Sequence, residues 1–409
     1  MKKLYAFKAI ACLTLITCLF AIPRTVHAQD ACNGRYANMI FDSVTITRNI
    51  VFGQNTTYSG QTQVLKSDVY YPAADSNVIK PAVFVLYGGS FINGSRNDLG
   101  VPQFATELAK RGYVAITIDY RLGIPFPPSG TEMSKAVYRA TQDLLAAVRY
   151  YRAHADSFDI DSSRIFASGF SAGAITCLHA AFWQQSEVPT AINPAVMGTL
   201  AEGSGNPGIS GRISGVISAA GGIGDTLWIS ADEKIPVGSV HNATDPTVPY
   251  NCSVLPIVNL PICGSLPVTN RINHLGNEAW LKTMNVPGMH IPDYGTPEAD
   301  TMGKYMVNYL YRMQPCAQGP LTATNQQQPE HFTLFPNPAT DKVSVSFGNA
   351  AVAGTIELLN ATGRVMLRQN IQAGSGVTSL TLPETANGFY MVRVTEGGRS
   401  TSRHLMLNR

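Results

Sequence analysis

The chain has no marked excess of charge of either sign: 30 basic against 27 acidic side chains leave a formal net charge of +3 over 409 residues. That balance gives no basic field for nucleic acid, and a hydrophobic share of 45% is far from the composition of a disordered chain. Long apolar runs are also missing. The longest, residues 9–22, falls short of the ~20 residues a membrane span needs, and no later segment qualifies. No His/Cys/Asp cluster has zinc-ligand spacing and no Walker-type phosphate loop occurs, so neither a metal nor another cofactor is expected. No repeat recurs at solenoid periods.

What is there begins with a leader. Lys2-Lys3, the apolar run and Val26-His27-Ala28 before Gln29 make residues 1–28 a signal peptide, which places the mature chain outside the cytoplasm. Of seven cysteines, Cys12 and Cys18 leave with it. Export makes disulfides possible for the rest. Cys252 and Cys263 flank a Pro-rich stretch and are the first pair expected. Cys32 and Cys316 lie at the two ends of the larger domain, and domain ends often meet. Cys177 is then left as a small buried apolar residue.

Short β-rich runs at residues 82–87, 113–120, 164–170, 213–221 and 235–240 alternate with helical stretches, which predicts an α/β domain with a mostly parallel sheet flanked by helices. Residues 43–52 and 63–71 read as antiparallel strands that start the sheet. Val137, Leu144, Leu145 and Val148 stand at helical spacing within residues 133–158, just ahead of the strand at 164–170. After a helix ending near Arg312 comes Pro- and Gln-rich linker chemistry at 314–331. From Phe332 the pattern becomes short alternating strands (343–347, 355–359, 365–369, 379–382 and 389–394) with turn signals between them, a small all-β sandwich. The expected organisation is a leader (1–28), a large domain (29–313), a linker (314–331) and a β-sandwich domain (332–409).

Gly169-Phe170-Ser171-Ala172-Gly173 joins the strand at 164–170 to a helical stretch. Gly-x-Ser-x-Gly at such a junction holds a serine hydroxyl out at the carboxyl edge of a sheet, with glycines where neighbouring backbone comes close. By chance a chain of this length contains the pattern roughly 0.1–0.2 times, so the context decides. Ser171 is the candidate nucleophile. Upstream, Tyr87-Gly88-Gly89-Ser90-Phe91 follows an early strand. Backbone N–H groups of Gly88 and Gly89, with that of Ala172, are the candidate donors for a tetrahedral oxyanion. Asp245 follows the strand at 235–240 and is the candidate acid, with Asp225 and Asp232 as alternatives that precede it. The base should follow the acid in chain order, leaving His290, in a Gly-containing loop after a strand near 281–284, and His274, in a segment (271–280) that reads as helix. His290 is favoured. His241 and His274 read as hydrogen-bonded structural residues, and His179 as structural.

With these residues in place, the core from about Cys32 to Arg312 resembles secreted bacterial carboxylesterases and lipases of the α/β-hydrolase superfamily. The resemblance is carried by residues 65–72, the 87–91 loop (Tyr87 where that family usually has His), Gln142-Asp143, the elbow and the Asp245 loop. It implies an α/β-hydrolase fold and hydrolysis of carboxylic esters through an acyl-enzyme on Ser171. Similar Gly-Phe-Ser-Ala-Gly elbows occur among acetyl and feruloyl esterases acting on plant polysaccharides, so the implied substrate is a small-molecule or polymer-linked ester. A serine peptidase of the same fold and a catalytically silent binding module are the alternatives. The tail from Phe332 looks like the C-terminal sorting domain of type IX secretion, carried by Phe335-Pro336-Asn337-Pro338, Asn360-Ala361-Thr362-Gly363-Arg364 and Gly388-Phe389-Tyr390-Met391-Val392. It implies the type IX machinery as partner and passage across the outer membrane of a Gram-negative bacterium.

Overall fold

The computed structural model describes residues 32, 34–75, 79–256, 258–318, 332–347, 353–360, 364–396 and 399–408. The expected leader and linker residues 319–331 lie outside the described residues. Two compact units divide the chain, Met1–Pro320 and Leu321–Arg409.

The first unit is built on eight strands: β1 (Val44–Thr56), β2 (Thr62–Pro72), β3 (Lys80–Leu86), β4 (Val114–Ile118), β5 (Ile160–Phe170), β6 (Gly215–Ala219), β7 (Val237–Asn242) and β8 (Ala279–Met284). Their order across the sheet is β1-β2-β4-β3-β5-β6-β7-β8. β1 and β2 enter antiparallel, and from β4 onward every neighbouring pair is parallel. Every residue of β3, β4, β6 and β7 is buried. Such strands must be apolar on both faces because helices cover both, and Ala82-Val83-Phe84-Val85-Leu86 and Val114-Ala115-Ile116 meet that demand.

The covering helices are α1 (Val101–Lys110), α2 (Gly130–Ala153), α3 (Ala172–Phe182), α4 (Ser265–His274) and α5 (Pro297–Arg312). Several starts are written locally. Ser129 caps α2 by accepting from the Glu132 N–H, and Thr296 caps α5 from Ala299 with Pro297 in the first turn. The helix expected over 133–158 stops at Ala153, because Ala155–Phe158 tightens into a 3₁₀ turn and Asp159 turns left-handed. The segment 271–280 divides: α4 ends at His274, and Trp280 already lies in β8, paired with Gly238. Gly276, at φ +76°, makes that turn.

Two disulfides close the unit, Cys252–Cys263 and Cys32–Cys316, and Cys177 is free and buried. The first holds a hairpin of Cys252–Leu255 and Leu260–Gly264. The second tethers Pro315–Gln318, a 3₁₀ turn. Linker chemistry was expected from residue 314, but Gln314 is fully buried with its amide donating to Leu310 O. Residues 314–318 are therefore tied to the core rather than spacing it from the tail.

In the second unit, Phe332–Phe335, Lys342–Phe347 and Val377–Thr381 form one antiparallel sheet. Val365–Ile371, Gly354–Leu359, Gly388–Glu396 and Arg399–Leu407 form another. The two share a core of Phe332, Val343, Val345, Ile356, Val392 and Leu405. Among the described residues no helix is long and apolar enough to cross a membrane.

Candidate active site

Because β3, β5, β7 and β8 run parallel, their carboxyl ends open on one edge, where ligands bind in open α/β sheets. β5 delivers Ser171 there. The serine caps α3 at φ 52°, ψ −118°, a left-handed conformation costly for a residue with a Cβ. Two glycines make the turn feasible. A Cβ on Gly169 would run into the backbone of Gly173, and one on Gly173 would lie 2.5 Å from Tyr87 O and 2.6 Å from Leu86 O. The Ser171 N–H donates to Ala219 O at 2.9 Å, fastening the turn to β6.

The three residues expected to form a catalytic set meet at this edge. The Nε2 of His290 lies 2.7 Å from Ser171 Oγ, and its Nδ1 lies 2.6 Å from Asp245 Oδ2. The Asp245 side chain is fully buried, whereas that of His290 is 22% exposed. The other carboxylate oxygen, Oδ1, accepts the N–H groups of Thr247 and Val248 at 2.8 and 3.0 Å. Burial pushes this carboxyl up. Hydrogen bonds from His241, His290 and the Thr247 amide outweigh it and hold the group well below the usual carboxylate range. Asp245 is therefore an anion, so Nδ1 of His290 donates to it, which in the neutral ring leaves the Nε2 lone pair facing the serine hydroxyl.

The alternatives fall elsewhere. Asp225 caps the 3₁₀ turn Thr226–Trp228, and His274 sits at the end of α4. His179 is buried with Nδ1 against Ile175 O, and desolvation lowers its pKa to about 4, so it stays neutral.

Two residues beside the set are more closely tied to it than the sequence implied. His241, read as structural, is fully buried at the end of β7. Its Nε2 lies 3.1 Å from Val248 O and 3.3 Å from Asp245 Oδ2, and its Nδ1 lies 2.8 Å from Ser265 Oγ. Since Val248 O only accepts, Nε2 must donate, which makes His241 a second donor to the acid. Asn242, also buried, clamps the loop that carries the base: its Nδ2 donates to Val286 O and Met289 O, both at 2.7 Å, and its Oδ1 accepts from Val286 N at 2.9 Å. Their positions three and four residues ahead of Asp245, just past the strand expected at 235–240, were the available signal.

The loop after β3 passes directly beside the serine. A Cβ on Gly88 would stand 3.2 Å from that of Ser171, and Gly89 adopts φ +110°. Gly89 O accepts from Ile92 N and Asn93 N at 3.0 and 3.1 Å, which turns the peptide outward. Ser90 and Phe91 are both left-handed, at φ 55° and 61°. Tyr87 stacks on Tyr120 with ring centroids 4.2 Å apart, and the Tyr120 hydroxyl donates to Tyr87 O at 2.9 Å. These contacts anchor the loop.

Ser171 lies between two cavities. One, of about 620 Å³, is lined by Tyr87, Phe104, Phe170, His290, Tyr294 and Met302 among others. The other, of about 120 Å³, lies on the Ala172 side. Among the described residues no group of three or more His, Cys, Asp or Glu gathers as a metal site.

Comparison with known proteins gives matches to two family models. Residues 67–204 match the BD-FAE family model, and residues 333–408 match the secretion system C-terminal sorting domain. Two separate segments, one in each unit, therefore match known family models. Gut esterase 1 of Caenorhabditis briggsae is 32% identical over 122 residues, which are 30% of this chain and 21% of the worm protein. The same-named protein of Caenorhabditis elegans is 30% identical over 122 residues, again 30% of this chain and 21% of the worm protein. The chain thus spans about a fifth of the length of the curated relatives it matches. Among solved structures, a truncated carbohydrate esterase from gut microbiota is 18% identical with a TM-score of 0.47, covering 67% of this chain and 98% of its own. Esterase 2 of Thermogutta terrifontis, phosphorylated by paraoxon, is 19% identical with a TM-score of 0.45, covering 65% of this chain and 91% of its own.

Proposed function

We propose that the protein is an exported serine hydrolase that cleaves carboxylic esters through an acyl-enzyme on Ser171. The observation that carries this reading is the hydrogen-bonded line Ser171–His290–Asp245, at 2.7 and 2.6 Å, whose serine and histidine line a substrate-sized cavity. As Ser171 Oγ attacks the ester carbonyl carbon, His290 Nε2 takes the hydroxyl proton, and Asp245 stabilises the imidazolium through Nδ1. The N–H groups of Gly88, Gly89 and Ala172 are the donors to the oxyanion, a contribution worth about 10²–10³ in turnover per donor. Collapse of the tetrahedral intermediate breaks the bond to the alcohol oxygen, which leaves with the proton from Nε2. Water then attacks the acyl-enzyme by the same route and releases the acid. In this account residues 1–28 direct export, and the tail hands the chain to the type IX machinery, which carries it to the cell surface or beyond.

The test is hydrolysis of p-nitrophenyl acetate by the full chain and by its Ser171→Ala variant. Wild type should turn the ester over, and the variant should lose at least about 10³-fold in kcat while melting at the same temperature. An unchanged rate in the variant would move the nucleophile elsewhere.

A further inference from the structure

The proton that leaves with the alcohol comes from His290, so the alcohol oxygen must sit within hydrogen-bond reach of Nε2. That requirement orients the substrate, because His290 lines only one of the two cavities that meet at Ser171. The alcohol belongs on the His290 side, in the cavity of about 620 Å³. The acyl group then points the other way, past Ala172.

On that side the space is about 120 Å³, walled by Phe91, Met133, Ile175, Val248, Leu255 and Val258. An apolar cavity of about 150 Å³ is known to hold benzene. The acyl pocket here is smaller, so it takes a short chain of about four carbons and no aromatic ring bearing a further arm. Leu255 and Val258 belong to the stretch between Cys252 and Cys263, whose strands pair with each other and with Gly222–Ile223. The wall they form is closed covalently at its base.

We propose that Leu255 and Val258, on this disulfide-closed hairpin, set the acyl length: the protein takes short-chain acyl esters of bulky alcohols. This rests on the hydrolase reading above. A misplaced methylene in an apolar pocket costs about 10–200-fold in discrimination, so chains beyond the wall are strongly disfavoured.

The experiment measures kcat/KM for p-nitrophenyl acetate, butanoate and octanoate with the full chain, its Leu255→Ala and Val258→Ala variants, and Phe104→Ala in the large cavity. In wild type the octanoate value should fall at least about tenfold below butanoate. Either hairpin variant should raise the octanoate-to-acetate ratio by about tenfold, and Phe104→Ala should leave that ratio in place. A ratio is insensitive to the fraction of folded protein. On the alcohol side, 1-naphthyl acetate should be cleaved at least as fast as phenyl acetate. Efficient octanoate cleavage by wild type, or a ratio that moves with Phe104 and not with the hairpin, would overturn the assignment while leaving the hydrolase reading intact. Turnover of none of these esters would sink both.

Discussion

Replacing Asp245 by asparagine tests how the acid works rather than only whether it is needed. The two side chains have the same shape, so the outcome depends on which way the amide faces. Oδ1 of Asp245 accepts two backbone N–H groups, from Thr247 and Val248. Only the amide oxygen can take over that position, and turning the NH₂ toward two N–H donors would forfeit about 1 kcal/mol for each bond. The NH₂ must therefore occupy the place of Oδ2, 2.6 Å from His290 Nδ1, where it gives up only the longer contact of 3.3 Å that His241 Nε2 shares with Val248 O. There it donates, so Nδ1 becomes the acceptor and the ring hydrogen moves to Nε2. His290 then presents a donor to Ser171 and can no longer take its proton. The same exchange in another catalytic triad costs about 10⁴ in kcat, which corresponds to about 5–6 kcal/mol of transition-state stabilisation. Steady-state hydrolysis of p-nitrophenyl acetate, with thermal melts to establish that both proteins are folded, reads the effect. A variant within tenfold of wild type would refute the tautomer argument.

Two further outcomes follow from the packing. Gly173→Ala places a Cβ against the Tyr87 and Leu86 carbonyls, which are backbone and cannot yield. Chemical denaturation should show a loss of about 1–3 kcal/mol together with lowered turnover. Gly303→Ala, in α5 with open space around it, should instead be neutral or stabilising by up to about 1 kcal/mol. His179 has its pKa lowered to about 4 in the folded chain against 6.5 ordinarily. Between these values the unfolded chain binds a proton that the native state does not, so stability is full above pH 6.5 and falls with falling pH toward 4, by about 3 kcal/mol. Urea titrations across that window should show a shallower fall in His179→Phe, and parallel curves would contradict the burial of a neutral ring.

Ser171, Asp245 and His290 stood out in the sequence as candidates because each follows an expected strand, in the chain order of the family the core resembles, and the apolar runs that end before Ser171 and Asp245 are easy to find. His241 was harder. Its structural, hydrogen-bonded character was readable, but its role beside Asp245 depends on β7 running on through Asn242, and His241-Asn242 look like the start of a polar loop. Burial is tolerated there because both side chains are hydrogen-bonded. The last tail strand, Arg399–Leu407, was missed for a similar reason. Ser400, Thr401, Ser402 and Arg403 offer no apolar alternation, and pairing with Gly388–Glu396 is what makes this stretch a strand. The two cavities could not be read at all. Phe104, Phe170, His290 and Met302 line one of them from segments far apart in the chain, and only the fold brings them together.

The central claim, an activated serine at position 171, is tested most directly by a fluorophosphonate probe on the full chain followed by mass mapping of the modified peptide. A single adduct on Ser171 is expected, abolished in Ser171→Ala and slowed in Asp245→Asn. No labelling of the folded wild-type protein, or an adduct on another residue, would contradict the account.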